Sequence, residues 1–398
     1  MKTFFAILAM ALATVVCRGA EAEVIKLGLS TPMSGAGASW GILADWAAKQ
    51  AANDINKSGG LKIKDKTYTF DVVAYDNKYT ASEGAKVGQA LINRDGVRFV
   101  VFALGMAPVR ALQSLSEKEG AILFTTGAGK SIKGPKFPFT FTQLNTPFER
   151  YRSFFEFVKK ENPDVQSVVV VEPNDATGQD ASEVSKREWQ RLGIKVLDVN
   201  FYERGTTEFA SLATRITALK PSIVDFGEMP PSDTGLVLAA LDEQGWKGVK
   251  VWAAGSATAD LVKAGGAAAN NVYMALAGDF GAASAPEIQR RLEVGAMKDL
   301  GEHMNAISVS AFDAVMAIKA AMEKAQSVDP DKVREVLPSL VFESSYGWAA
   351  FGGKDEYGSP QQMLLPIIIS QVKDGKTVER MRLVPPELAE KLTKAGKQ

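Results

Sequence analysis

The stretch EVIKLGLSTPMSGAGASWG, Glu23–Gly41, decides how this chain is read. Val24 to Leu29 is an apolar, buried-looking strand, Pro32 to Gly37 a Pro/Gly-rich loop, and a helix opens near Trp40. Upstream, Lys2 precedes a mostly apolar run from Thr3 to Val16, and Ala20-Glu21-Ala22 sets small residues at the two positions a signal peptidase reads. The run suits a signal h-region and is too short to span a bilayer, so residues 1–22 are read as a signal peptide cleaved after Ala22. A periplasmic location follows. Cys17 offers a competing reading as a lipid anchor, but Thr14-Val15-Val16 lacks the small residue usual before a lipidated cysteine.

Without the signal, 376 residues remain (398 minus 22), more than one core usually serves, so two lobes are expected. With 46% hydrophobic and 23% charged residues the chain is globular rather than disordered. The strongest later apolar run, LLPIIIS at Leu364–Ser370, has the length of one buried strand, not of a membrane span. Lys+Arg and Asp+Glu both number 46, without the basic excess of a nucleic-acid binder. Cys17 is the only cysteine, so the mature chain has neither a disulfide nor a thiolate nucleophile.

Strand-like and helix-like segments alternate from Val24 onward. Apolar runs such as Arg98 to Ala103 and Ser167 to Val171, each followed by a helical pattern, indicate parallel strands covered on both faces. The series runs once to Thr125 and restarts at Phe148, which predicts two doubly wound α/β lobes. Ligands in such sheets bind beyond the carboxyl ends of the strands, here the loops after Leu29, Ala103, Thr125, Val171, Phe226 and Ala253.

Several motifs mislead. Gly35, Gly37 and Gly41 are spaced GxGxxxG, not GxGxxG, and Asp76 lies too far along to hold a ribose. Gly127 to Ser131 ends like a phosphate loop, but its first required glycine would fall at Phe124. His303 is the only histidine and reads as a surface or helix-entry residue; no second one exists to build a typical zinc site. No GxSxG elbow is present. No cofactor and no catalytic residue is assigned, and an α/β hydrolase or dehydrogenase stands as the rival class.

The order of elements and several phrases resemble the periplasmic binding proteins for leucine, isoleucine and valine, the solute-binding components of ABC importers. Those phrases are LGLSTPMSGAGASWG, AANDINKSGGLK, Gly96 to Val101, Gly120 to Thr126, NDATGQD and KPSIVDFGEMPPSDTG. The resemblance implies a type I periplasmic binding fold, two lobes joined by three crossovers around a cleft, and hinge closure on a solute recognised by a membrane permease. The crossovers are placed near Gln143, Ala277 and Ser345. Lobe 1 is then 23–142 with 278–344, lobe 2 is 143–277 with 345–386, and 387–398 is a charged tail. A monomer is expected, because a permease must approach both lobes.

Carried onto this chain, the resemblance puts Trp40 against the ligand. The carboxylate-binding loops become Leu104-Gly105-Met106-Ala107 and Thr126-Gly127-Ala128-Gly129, whose N–H groups lie at helix starts. The chain also departs from the amino-acid binders. Met106 and Gly129 stand where hydroxyls usually grip the α-carboxylate, Thr177 replaces an aromatic residue, and Gly255 replaces the acid that pairs the α-ammonium. Glu228 compensates only if it points inward; otherwise a buried ammonium lacks a counter-charge, a penalty of several kcal/mol. With Met229 alongside, the cleft is read as suiting an aromatic or other organic acid, with branched-chain amino acids and amides as alternatives. Each residue also has a plainer reading: Trp40, Met106 and Met229 as packing, Gly105 and Gly127 as backbone freedom, Arg110 as a solvated surface residue, and Asp76 and Asn77 as caps.

Overall fold

The computed structural model describes residues 22–397; the signal reading and Cys17 lie outside them. Its strands are β1 (Glu23–Thr31), β2 (Leu61–Ile63), β3 (Lys66–Asp76), β4 (Phe99–Ala103), β5 (Ile122–Thr125), β6 (Thr140–Thr142), β7 (Ser167–Pro173) and β8 (Lys195–Tyr202). There follow β9 (Ile223–Asp225), β10 (Val249–Trp252), β11 (Tyr273–Met274), β12 (Val341–Ser344), β13 (Gly347–Gly352), β14 (Gln362–Leu364), β15 (Ile367–Lys373) and β16 (Lys376–Leu383). One sheet of nine runs β12-β13-β14-β6-β5-β4-β1-β3-β2, and a second of seven runs β16-β15-β11-β10-β9-β7-β8. Their central strands pair in parallel, and the antiparallel pairs lie towards the edges.

The central strands, such as β4, β5 and β7, are buried on both faces, which is why they read as unbroken apolar runs. In lobe 1 the helices Ala38–Lys57 and Ala306–Ala325 cover one face, packing Leu43, Ala47 and Phe312 with Leu27, Phe102 and Phe124. The helix Met106–Lys118 covers the other, with Leu112 against Val100 and Leu123. In lobe 2, Val169 and Val171 face one apolar cluster while Val168 and Val170 face another.

The third crossover differs from the expectation. LLPIIIS is not one strand: Leu364 ends β14 in the nine-stranded sheet, and Ile367 begins β15 in the seven-stranded one. Pro366 stands between them, with no N–H to give a ladder. The crossing therefore falls about twenty residues after Ser345, and β13 and β14 belong to lobe 1. Hydrophobicity marks burial but not which sheet does the burying, so the sequence could not split this run. The first crossing is hydrogen-bonded to the third: Asn145 Nδ2 donates to Leu365 O at 2.9 Å, and Gln362 Nε2 to Leu144 O at 2.9 Å.

The charged tail forms the helix Pro386–Lys394, which sets Leu388 against Ala350 and Leu364. Among the described residues no helix is long and apolar enough to cross a membrane. Asp76 does not cap the helix Ala81–Gly88; Thr80 does. Asp76 instead accepts from Met33 N at 3.0 Å and Ser34 Oγ at 2.7 Å, holding the loop after β1.

Candidate ligand cleft

The loops at the carboxyl ends of the strands of both lobes meet across a cleft, and the lobes touch over it. Ser39 Oγ donates to Asp260 Oδ2 at 3.0 Å, and Arg110 lies 3.5 Å from Asp180. Arg110 also donates to Ser131 at 2.6 Å and stays exposed. The enclosed space is about 40 Å³, room for about three waters at roughly 10–15 Å³ each. A solute the size of an aromatic acid enters only when the lobes part.

Nine of the residues singled out in the sequence line this inner compartment: Trp40, Leu104, Gly105, Met106, Thr126, Gly127, Ala128, Thr177 and Glu228. Four do not. Ala107 lies a residue further into its helix, Gly129 falls past Ala128, Met229 is fully buried in the core of lobe 2, and Gly255 falls behind Ala254. Trp40 is buried with the core of lobe 1, yet its indole Nε1 has no partner, and neither has Thr177 Oγ1. Met106 packs under the Thr126–Gly129 loop, where its Sδ receives the Gly129 N–H at 3.4 Å.

The backbone explains the glycines. Gly105, with φ +93°, ends the strand-to-helix turn, and a Cβ there would sit 3.2 Å from the Tyr79 ring. A Cβ on Gly255 would lie 2.5 Å from Met274 Cγ, so no acidic side chain fits without moving β11.

Electrostatically the compartment is already matched. Glu228 does point towards it, but its Oε1 accepts from Arg150 and, at 2.8 Å, from the Tyr151 hydroxyl. Arg150 is 2% exposed and also donates to Ala253 O at 2.8 Å and Asn145 O at 3.2 Å. Beneath this pair, burial and then the Glu228 charge push the Glu172 carboxyl well above the usual carboxylate range; its Oε2 accepts the Glu228 N–H at 2.9 Å. Burial likewise raises the Tyr79 phenol.

Tyr79, Asn145 and Arg150 also line the compartment, and sequence reasoning missed them. Tyr79 has φ +59°, which no local pattern announces. Asn145 and Arg150 flank Thr146-Pro147-Phe148-Glu149, a capping box with Pro at the helix start. That signature was legible and marks a helix opening into the cleft from the first crossover.

Two α/β lobes with loops meeting across a three-strand hinge define a type I solute-binding fold. The sequence matches the periplasmic binding protein family over residues 24–376, so the chain belongs to that family. It is 24% identical over 350 residues to the leucine-, isoleucine-, valine-, threonine- and alanine-binding protein of Pseudomonas aeruginosa, covering 87% of this chain and 91% of that one. The leucine-specific-binding protein of Salmonella typhimurium is 33% identical over 122 residues, about a third of each chain. Among solved structures, a leucine-binding protein from Thermotoga maritima superposes with a TM-score of 0.75 at 19% identity, covering 92% of this chain and 100% of that one. A solute-binding protein of an ABC transporter from Rhodopseudomonas palustris, in complex with 3,4-dihydroxybenzoic acid, gives 0.74 at 20% identity, covering 91% and 98%.

Proposed function

We propose that this protein is the solute-binding component of an ABC importer, that it captures a small organic acid between its lobes, aromatic acids foremost, and that it passes the acid unchanged to a permease. Export to the periplasm, action as a monomer and the lack of a catalytic role belong to this reading. The observation that carries it is the commitment of Glu228 to Arg150 and Tyr151, together with the absence of room for an acid at Gly255. Among the described residues, the one carboxylate that lines the inner compartment, Glu228, already has its charge paired with Arg150, which leaves no counter-charge of its own for an α-ammonium. The N–H group of Met106 opens a helix without an intrahelical acceptor and suits a carboxylate. Trp40 and Met106 supply apolar surface for a flat ring.

Two structural relatives from Rhodopseudomonas palustris are described as complexes with 3,4-dihydroxybenzoic acid and benzoate, which accords with this reading. The names of the sequence relatives favour a second one, a branched-chain amino acid. A thermal-shift screen of protein unfolded and refolded to shed bound solute separates the two. Solute at a hundred times its Kd adds about 2.7 kcal/mol. Stabilisation by benzoate and 3,4-dihydroxybenzoate but not by leucine, isoleucine or valine is expected; a shift with leucine alone overturns the organic-acid reading.

A further inference from the structure

The chain passes between the lobes a fourth time. β16 ends in the sheet of lobe 2, where Leu383 pairs with Ile367, the first residue of β15. The helix Pro386–Lys394 that follows lies against lobe 1. Leu388 is fully buried there with Ala350 and Leu364, and Leu392 packs beside them. Alternation along β13 explains the fit. Ala349 and Phe351 face the main core of lobe 1, so Ala350 faces the opposite side of the sheet, which this helix covers. Two polar contacts fix the helix further: Glu387 Oε2 accepts the Gly353 N–H at 3.0 Å, and Lys397 Nζ stands 4.0 Å from the centre of the Trp348 ring.

Only Val384 and Pro385 separate the two anchored elements, so Leu383 and Pro386 lie at most about 10 Å apart. Pro385 is extended, with φ −55° and ψ 141°, and two prolines in succession stiffen the link. The link runs back beside the third crossover. The chain leaves lobe 1 at Leu364 and enters lobe 2 at Ile367; it then leaves from Leu383, the partner of Ile367, and returns to Leu388, which packs on Leu364. One strand of the hinge is thereby doubled, and it is the strand that Asn145 bonds to the first crossover.

We propose that the C-terminal helix is a tether that limits how far the lobes part. Leu383 moves with lobe 2 and Leu388 with lobe 1, and a stiff link of two residues does not lengthen to follow a wide separation. None of the tether's residues lines the inner compartment, so it acts on the hinge and not on the solute. It sets the range of open forms from which a solute is captured.

Two variants of the full protein test this without any solute, so the result does not depend on which solute the cleft takes. Inserting Gly-Ser-Gly-Ser between Val384 and Pro385 slackens the link while leaving the helix its docking site. Leu388→Asp instead detaches the helix. Small-angle scattering reads the separation of the lobes, and amide hydrogen exchange reads the helix and the third crossover. The expected result is a larger radius of gyration than wild type in both variants, with exchange at Leu365, Ile367 and Ile368 at least tenfold faster. Exchange protection of Leu388–Lys391 is kept in the insertion variant and lost in Leu388→Asp. A scattering curve of the insertion variant that superimposes on wild type, with the helix still protected, overturns the tether. Expansion in Leu388→Asp alone does so too, because the helix is then a cover for lobe 1 and nothing more.

Discussion

Arg204 of lobe 2 reaches across the cleft to Tyr79 of lobe 1: its guanidinium carbon lies 4.3 Å from the ring centroid, and Nη2 is 3.5 Å from the phenolic oxygen. The same arginine is held from behind by Asp175, 2.5 Å from its Nε, and Asp175 caps the helix Ala176–Arg191. A cation over an aromatic face contributes about 0.5–2 kcal/mol, enough to shift an open–closed balance several-fold. Arg204→Gln is expected to enlarge the radius of gyration of the solute-free protein in small-angle scattering and to weaken solute binding. An unchanged scattering curve removes this contact from closure.

Gly129 is a second point of contact between the lobes. A Cβ there would run into the Asp180 carboxylate and come 2.7 Å from Met106 Cε. Its φ of −77° suits any residue, so the loop itself tolerates alanine. Gly129→Ala is expected to fold normally, to lose solute-induced compaction and to bind at least tenfold more weakly. Full compaction with solute would show that the lobes yield instead.

Trp40 carries two roles that one substitution separates by size. As a buried member of the lobe 1 core, it loses about 3–5 kcal/mol of stability on truncation to alanine. As the wall of the inner compartment, it also costs about 1–3 kcal/mol of solute binding. Trp40→Phe keeps most of the packing and should isolate the binding loss. Melting and titration of both variants test this; equal affinity in all three proteins takes Trp40 out of the site.

Arg150 and Glu228 are a buried charge pair in which neither partner stands well alone. Glu228→Gln leaves the guanidinium uncompensated and is expected to cost about 3 kcal/mol in urea unfolding. Arg150→Met/Glu228→Leu is expected to recover part of that loss. A double variant less stable than the single would mean the bonds from Arg150 to Ala253 O and Asn145 O outweigh the pair.

Asp313, in the helix Ala306–Ala325, accepts from Ser345 N at 2.6 Å and Ser345 Oγ at 2.9 Å. Burial nevertheless pushes its carboxyl up to about 7. Between about pH 4 and pH 7 the native state keeps a proton the unfolded chain has released, so stability falls as pH rises through that window. Asp313→Asn is expected to flatten the fall. An equally steep profile in the variant assigns it to other groups, Glu172 first among them.

The sequence revealed the alternation of strands and helices because parallel sheets buried on both faces leave unbroken apolar runs, as at Phe99–Ala103. Together with the family resemblance it also placed nine lining residues, because the loops at strand ends carry the ligand in this architecture. It could not show that Glu228 is taken by Arg150 from 78 residues away, a partnership made only by folding. Nor could it split LLPIIIS, whose two halves are equally apolar but join different sheets. Tyr79 and Asn145 act through an unusual backbone angle and a crossover, neither of which has a periodicity.

The late position of the third crossover governs when either lobe can be finished. Lobe 1 lacks half of one helical layer until Ala306–Ala325 arrives, and its sheet lacks β12 to β14 until Leu364. Lobe 2 waits for β15 and β16, which end at Leu383. Neither half can complete its core from a partly made chain. Both packed cores therefore become available together, only once almost the whole length of the chain is present.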